Sequence, residues 1–189
     1  MTIKLTSPAA VATALTALLV VAAPAVAADY VQAAGSKLAF ANKYDGTVFA
    51  GTFQGFTTTL RFDPDNLEGS RLDVTIPLAG ARSGNDDRDS TLKGADFFDV
   101  GRFAQARYTA TTFRALGNNQ FVAEGTLELR GVSKPVPLTF TWTPGPQPVL
   151  TGKATVRRLD FGVGGGDWAD TKLIPNETAI STTVKLKTK

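Results

Sequence analysis

Residues 83–103 read SGNDDRDSTLKGADFFDVGRF and form the one long interruption in a chain that is otherwise patterned for β-strands. A connection of this length inside a compact β domain is usually functional. Asp86 or Asp87 can cap a helix here, and apolar residues recur at helical spacing over about residues 86–98. Because Gly94 weakens this helical pattern, we predict a short helical insertion of one to three turns.

The sequence on both sides of the insertion predicts eight antiparallel strands. Residues 35–62 contain two strands joined by a turn at Asp45-Gly46, and a change of parity near Gln54-Gly55 indicates a bulge or bend. Residues 71–78 alternate cleanly, as in a half-buried strand. Five further strands are predicted at residues 106–113, 120–130, 136–143, 149–159 and 178–187. Eight up-and-down strands with short loops form an all-β antiparallel barrel, and an open sandwich is the competing architecture.

The first 27 residues have the features of a secretory signal peptide. Their one charged side chain is Lys4, an apolar stretch follows at residues 9–23, and Ala25-Val26-Ala27 offers a small-residue cleavage site. The apolar stretch is too short to span a bilayer well. We therefore expect cleavage after Ala27, a mature domain at residues 28–189 without a transmembrane segment, and a periplasmic location if the source is Gram-negative.

The composition excludes several classes of function. The chain has 189 residues and neither cysteine nor histidine, which removes disulfides, thiolate or imidazole metal sites, histidine-based triads and haem ligation by histidine. The formal net charge is only +3 and no basic block is present, so nucleic acid is not an expected partner. Twelve phenylalanines provide the material for one apolar core.

Three polar features resemble functional motifs. The glycine run at residues 162–166 superficially resembles a dinucleotide loop, but no helix follows it, so a turned loop at a barrel end is the better interpretation. Asp86, Asp87 and Asp89 lack the spacing of a calcium loop, so helix capping is favoured and no metal site is predicted. Arg158 is either an exposed strand end or a guanidinium at the barrel mouth that pairs with an anionic head group.

Short segments spread over the whole mature chain match one family. In family order they are GTFQGF (51–56), LRFDPD (60–65), SGN with DRD (83–89), LK with DFFDV (92–100), GTLELRGVSKPV (125–136) and RLDFGVG (158–164). With these segments the chain resembles the YceI-like family of exported, lipocalin-like β-barrel proteins, often described as polyisoprenoid-binding. One departure is Ala104, where the family usually has a proline. The resemblance implies an eight-stranded barrel with a helical insertion around an elongated apolar tunnel.

The resemblance also implies a long-chain amphiphilic ligand with its tail inside the barrel. Isoprenoids, quinone-like molecules and fatty amides are the candidate ligands, and no separate cofactor is expected. We expect a periplasmic carrier or reservoir and not an enzyme. Two alternatives remain, namely an enzyme that acts on such a lipid with Asp89 as its acid/base, and a stress or partner-binding protein with a solid core. Whether the chain forms a homodimer is left open.

The candidate ligand-binding residues are large apolar side chains expected inside the barrel, in the insertion or in the loop at residues 158–168. They are Phe40, Phe53, Phe56, Leu60, Phe62, Phe97, Phe98, Phe121, Leu127, Phe140, Trp142, Phe161 and Trp168. In a filled barrel the same side chains would only form a core. By position, Asn85, Arg88 and Arg158 are the candidates for contact with the ligand's head group.

Overall fold

The structure is a computed structural model that describes residues 27–189, so the predicted signal peptide lies outside the described residues apart from Ala27. Strands dominate this part of the chain. The elements are β1 (Ala28–Gln32), β2 (Lys37–Tyr44), β3 (Thr47–Phe53), β4 (Thr57–Phe62), β5 (Arg71–Pro77), β6 (Ala81–Arg82), α1 (Asp86–Lys93), β7 (Gln105–Gly117), β8 (Gln120–Leu129), β9 (Val132–Thr143), β10 (Val149–Arg157) and β11 (Glu177–Thr188). Short 3₁₀ helices cover Leu78–Gly80, Arg158–Phe161 and Gly166–Trp168.

The strands form one antiparallel sheet that closes on itself. β1 and β2 are two halves of one bent strand, as are β3 with β4 and β5 with β6, so the ring contains eight long strands. Each long strand pairs with the next one along the chain, and β11 returns to pair with both β1 and β2. The predicted eight-stranded up-and-down barrel is therefore confirmed, and the open sandwich is excluded.

The turn chemistry explains where the first strands bend. Asp45 and Gly46 both have positive φ, 45° and 75°, as a two-residue hairpin between right-twisted strands requires. Gly55 lies between β3 and β4 with a φ of 74°, which confirms the bend that the parity change predicted. The sequence did not predict β1, because its five residues show no apolar alternation; inward-facing Tyr30 is followed by outward-facing Val31.

The insertion contains a helix of about two turns, within the predicted one to three turns. Asn85 caps α1, since its side-chain Oδ1 accepts a hydrogen bond from the Arg88 N–H at 2.8 Å. The helix ends at Lys93 because Gly94, a poor helix former, takes an extended conformation there. The rest of the predicted range, residues 94–98, forms turns that fold Phe97 and Phe98 into the interior. Within residues 27–189 no helix combines the length and apolar character needed to cross a membrane.

The two ends of the barrel differ in the length of their loops. At one end, which we call the loop end, residues 83–104 join β6 to β7 and residues 158–176 join β10 to β11. At the opposite end the β7–β8 connection is only Asn118 and Asn119. That second end is filled by four buried rings, which we call the aromatic plug: Phe62, Phe121, Phe140 and Trp142.

Candidate ligand-binding cavity

The half of the barrel nearest the loop end is hollow. It encloses a cavity of about 490 Å³ whose wall consists almost entirely of apolar side chains. β5 illustrates the pattern, because its inward-facing residues form a continuous apolar stripe along the wall from Leu72 through Val74 and Ile76. Leu78, at the start of the following 3₁₀ helix, extends this stripe. A cavity of this size and character is typical of a site for an apolar small molecule.

The cavity opens to the surface at the loop end. Its boundary there includes the exposed side chains of Tyr44, Asp87 and Thr91 and the half-buried Trp168, which together we call the mouth. The rings of Tyr44 and Trp168 approach to 6.5 Å between centroids across this opening. Aromatic and polar groups at the rim of an apolar cavity suit an amphiphile whose polar end remains wet.

The two long loops cover the barrel end together. The Gly164 N–H donates a hydrogen bond to the Asp96 carbonyl at 2.6 Å. This bond connects the second loop, residues 158–176, to the insertion in the first loop, residues 83–104. Arg130, at the end of β8, donates through Nη1 to the Ala95 carbonyl at 2.7 Å and also to the Phe97 carbonyl. The Phe97 ring packs edge-on against Trp168 at 5.5 Å. The insertion is thus fixed over the cavity by hydrogen bonds from the Gly164 backbone and the Arg130 side chain.

Arg158 is a buried guanidinium that holds the second loop in place. Its Nε, Nη1 and Nη2 atoms donate hydrogen bonds to five backbone carbonyls between 2.5 and 3.2 Å, those of Val163, Gly164, Trp168, Ile174 and Pro175. The residue is only 4 % exposed, and burial lowers the pKa of its guanidinium from the ordinary value. Arg158 borders the cavity, but its five donors are already occupied by these carbonyls.

Arg88 also borders the cavity, close to the mouth. Its guanidinium lies 4.8 Å from the centre of the Phe49 ring, and its Nε donates to the Ser83 hydroxyl at 2.8 Å. Nη2 donates to the Ser83 carbonyl at 3.2 Å. The third head-group candidate, Asn85, does not border the cavity, and its side chain serves as the helix cap. The structure therefore brings Arg88 and Arg158 to the cavity and leaves Asn85 outside it.

Asp89, the candidate acid/base, lies outside the cavity wall and is only 6 % exposed. Its Oδ1 accepts hydrogen bonds from the Ser83 hydroxyl at 2.5 Å and the Ser83 N–H at 2.7 Å. The hydroxyl hydrogen bond is the main cause that lowers the pKa of this carboxyl, against the opposing effect of burial. A carboxylate held ionised in this way fixes the start of the insertion. Among residues 27–189, acidic side chains do not gather in a group of three that could hold a metal ion.

Two buried hydroxyl groups in the cavity wall differ in their hydrogen bonding. Tyr108 points its hydroxyl at the carbonyls of Ala123 and Val136, 3.0 Å from each, and its ring occupies the space that a side chain on Gly125 would fill. Burial is the main reason that the pKa of this phenol is raised well above its ordinary value. Thr58 also faces the cavity and is 3 % exposed, but its Oγ1 bonds to no other protein atom within the described part of the chain.

The predicted ligand-binding residues fall into two groups in the structure. The cavity wall contains Phe40, Phe53, Phe56, Phe97, Phe98, Leu127 and Trp168. The core away from the cavity contains Leu60, Phe62, Phe121, Phe140, Trp142 and Phe161. These six are buried like the first group, but they belong to the core and not to the cavity wall, and Phe161 is a buried residue of the second loop itself.

Several wall residues were not among the predicted ones. The β5 stripe was visible in the sequence as a clean alternation and could have been proposed on that signal. Tyr108 and Thr58 carry polar atoms, so their inward orientation is evident only from the strand register. Ile174 reaches the wall from an irregular loop, for which periodicity gives no signal.

Comparison with known sequences matches the chain to one family. The sequence model of the YceI-like domain matches residues 30–189. A UPF0312 protein of Shewanella baltica is 30% identical over 151 residues, which is 74% of this chain and 78% of that protein. A UPF0312 protein of Pseudomonas savastanoi pv. phaseolicola is 30% identical over 165 residues, which is 82% of this chain and 86% of that protein.

Solved structures share the barrel. BcnA of Burkholderia cenocepacia superposes with a TM-score of 0.77 at 25% identity, covering 80% of this chain and 96% of BcnA. A polyisoprenoid-binding domain from Saccharophagus degradans superposes with a TM-score of 0.65 at 15% identity, covering 86% of this chain and 99% of that domain. At that identity the second comparison shows a common fold.

Proposed function

The chain belongs to the YceI-like family, and from this membership and its apolar cavity we propose that it binds a long-chain isoprenoid or similar amphiphilic lipid. The single observation that carries the proposal is the hollow, apolar half of the barrel with a mouth at the loop end. A protein with a solid core would have no such space. The structural likeness to a polyisoprenoid-binding domain of another bacterium gives the fold a precedent for this class of ligand.

Burial of the lipid tail supplies enough free energy without charged contacts. Each methylene transferred from water contributes about 0.8 kcal/mol, so about ten of them contribute roughly 8 kcal/mol, which corresponds to micromolar binding. The wall requires no counter-charge for such a tail, in agreement with its apolar composition. The aromatic side chains Phe40 and Phe53, whose rings lie 5.1 Å apart, offer flat surfaces along the path of the chain.

The polar end of the ligand would lie at the mouth. Arg88 is the head-group contact we favour, because it borders the cavity next to exposed Asp87 and Thr91. Arg158 would have to give up hydrogen bonds to the second loop before it could bind a head group. The side chain of Asn85 is used for the helix cap. The polar end therefore meets α1 and water more readily than the buried guanidinium.

The site favours binding over catalysis. An acid/base residue must reach the reacting group, and its pKa must suit proton transfer near the working pH. Asp89 borders no part of the cavity, and its pKa is lowered, which favours the permanently ionised form. We therefore propose a carrier or reservoir. The small-residue sequence that ends at Ala27 supports export and a periplasmic location, where such a carrier would shield a lipid tail from water.

A binding titration tests the proposal. A fluorescent prenyl probe is titrated into the mature protein, residues 28–189, and into the Phe53→Asp variant, which places a carboxylate in the cavity wall. The matched control is Val48→Asp, because Val48 lies on the same strand, β3, and its side chain is exposed, at 65 %. We expect saturable binding by the unmodified protein and the control, and at least a tenfold loss for Phe53→Asp. Equal binding by all three proteins would contradict the proposed site.

A further inference from the structure

The cavity ends part-way along several strands. On β9, Val136 and Leu138 line the cavity, whereas Phe140, the next inward residue, does not. On β4 the same boundary lies between Thr58 and Leu60. The floor is therefore a layer of side chains across the barrel.

Phe140 lies directly below the floor. A Cβ atom built on Gly152 of β10 would lie 2.9 Å from Leu138, 3.3 Å from Thr182 and 3.4 Å from Phe140. Leu138 and Thr182 belong to the cavity wall, so Phe140 is in the layer that adjoins them. Gly152 lets these three side chains approach one another. Phe140 thus joins the floor of the cavity to the aromatic plug.

The aromatic plug behind the floor is packed tightly. The Phe62 ring lies 5.1 Å from Phe121, 5.6 Å from Phe140 and 5.1 Å from Trp142, in edge-to-face geometry with each. Phe121 and Phe140 stack at 5.5 Å, and all four residues are at most 4 % exposed. Such aromatic pairs add stabilisation beyond the area that they bury. A ligand chain that passes the floor would have to separate these rings.

The volume of the cavity above the floor limits how many carbons of a bound chain it can hold. A dry cavity of about 150 Å³ accommodates benzene, which has six carbons. On that scale the present cavity of about 490 Å³ holds roughly twenty carbons, or about four isoprene units.

We propose that the aromatic plug limits the length of the bound chain, so that the barrel selects amphiphiles whose buried segment has about twenty carbons. The inference rests on the proposed function and adds a residue-level determinant of ligand choice. Chains shorter than this leave part of the cavity empty. Longer chains extend out of the mouth, where their additional carbons remain in water and contribute little.

A series of prenyl alcohols tests the limit on the unmodified protein. In this assay each alcohol competes with the fluorescent prenyl probe for binding to residues 28–189 at one fixed detergent concentration. The series consists of geraniol, farnesol, geranylgeraniol, geranylfarnesol and solanesol. We expect affinity to rise at least about tenfold per isoprene unit up to geranylgeraniol, and by less than about threefold in total beyond it. An affinity that continues to rise with chain length up to solanesol would overturn the length limit but not the proposed function. Failure of every alcohol to displace the probe would overturn the proposed function as well.

Phe140→Ala tests the role of the plug, because it removes about six carbons below the floor. We expect geranylfarnesol to bind at least about fivefold more tightly than it binds the unmodified protein, with farnesol changed less than about twofold. The control is Phe103→Ala, since Phe103 lies at the loop end and outside the cavity wall. Circular dichroism verifies folding, and Phe140→Leu gives the same test with a smaller shift if the alanine variant unfolds. An unchanged length profile in a folded variant would refute the assignment.

Discussion

Replacement of Arg158 by methionine provides a sharp test of how the loop end is held together. The change keeps the volume of the apolar stem and removes donors to five backbone carbonyls. A typical hydrogen bond contributes about 1 kcal/mol net, and an acceptor left buried without a partner costs about 1–3 kcal/mol. Some of these carbonyls lie near the surface and regain water, so we expect a loss of about 3–5 kcal/mol in the free energy of unfolding.

Urea unfolding at neutral pH measures this loss. Arg157→Met is the matched control, because the Arg157 side chain is 64% exposed and reaches only Asp160, at 3.6 Å. We expect the control to cost less than about 0.5 kcal/mol. Arg158→Lys should give an intermediate loss, since an ammonium has three donors and lacks the fork of a guanidinium. A loss below about 1 kcal/mol for Arg158→Met would refute the structural role derived from the five hydrogen bonds.

Three other changes test separate parts of the barrel. Because the folded-state pKa of Asp89 lies below its unfolded value, its contribution to stability is present above the unfolded pKa, near 3.9, and is lost as pH falls through the folded pKa. Asp89→Asn should therefore destabilise the protein at pH 7 and by progressively less as the pH falls below about 3.9 in urea titrations, and a loss that stays constant with pH would contradict this. Thr58→Val removes an unpartnered buried hydroxyl and should raise the melting temperature of the lipid-free protein by about 2–4 °C; a decrease in calorimetry would show that the hydroxyl has a partner. Gly125→Ala places a methyl group against the Tyr108 ring and should cost about 2–4 kcal/mol in urea unfolding, whereas a cost near zero would mean that the ring moves freely.

The barrel architecture could be predicted from the sequence because the alternation of apolar residues and the turn residues between strands are local features. Strand alternation and the Asp45-Gly46 turn indicated the early strands, and the structure has them there. Phe98 continues the helical spacing of Leu92, but α1 ends at Lys93, and turns after Gly94 bring Phe97 and Phe98 to the interior. Spacing of apolar residues cannot distinguish these two ways to bury an aromatic pair.

The composition of the cavity wall was harder to predict for a different physical reason. Leu138 and Phe140 face the same way on one strand and have the same chemistry, but one borders empty space and the other is packed in the plug. That difference depends on which side chains the seven other long strands of the barrel contribute next to each residue. Arg158 is similar, because its carbonyl partners come from a loop whose conformation is not encoded in a periodic pattern.

The central claim is that the barrel holds the chain of a lipid in its cavity. The most direct measurement is organic extraction of the protein purified from its native source, followed by mass spectrometry of the extract. We predict a long-chain amphiphile in about one copy per barrel from the unmodified protein and from Val48→Asp, and its loss from Phe53→Asp. An extract without such a molecule, together with no uptake of the fluorescent prenyl probe, would contradict the claim.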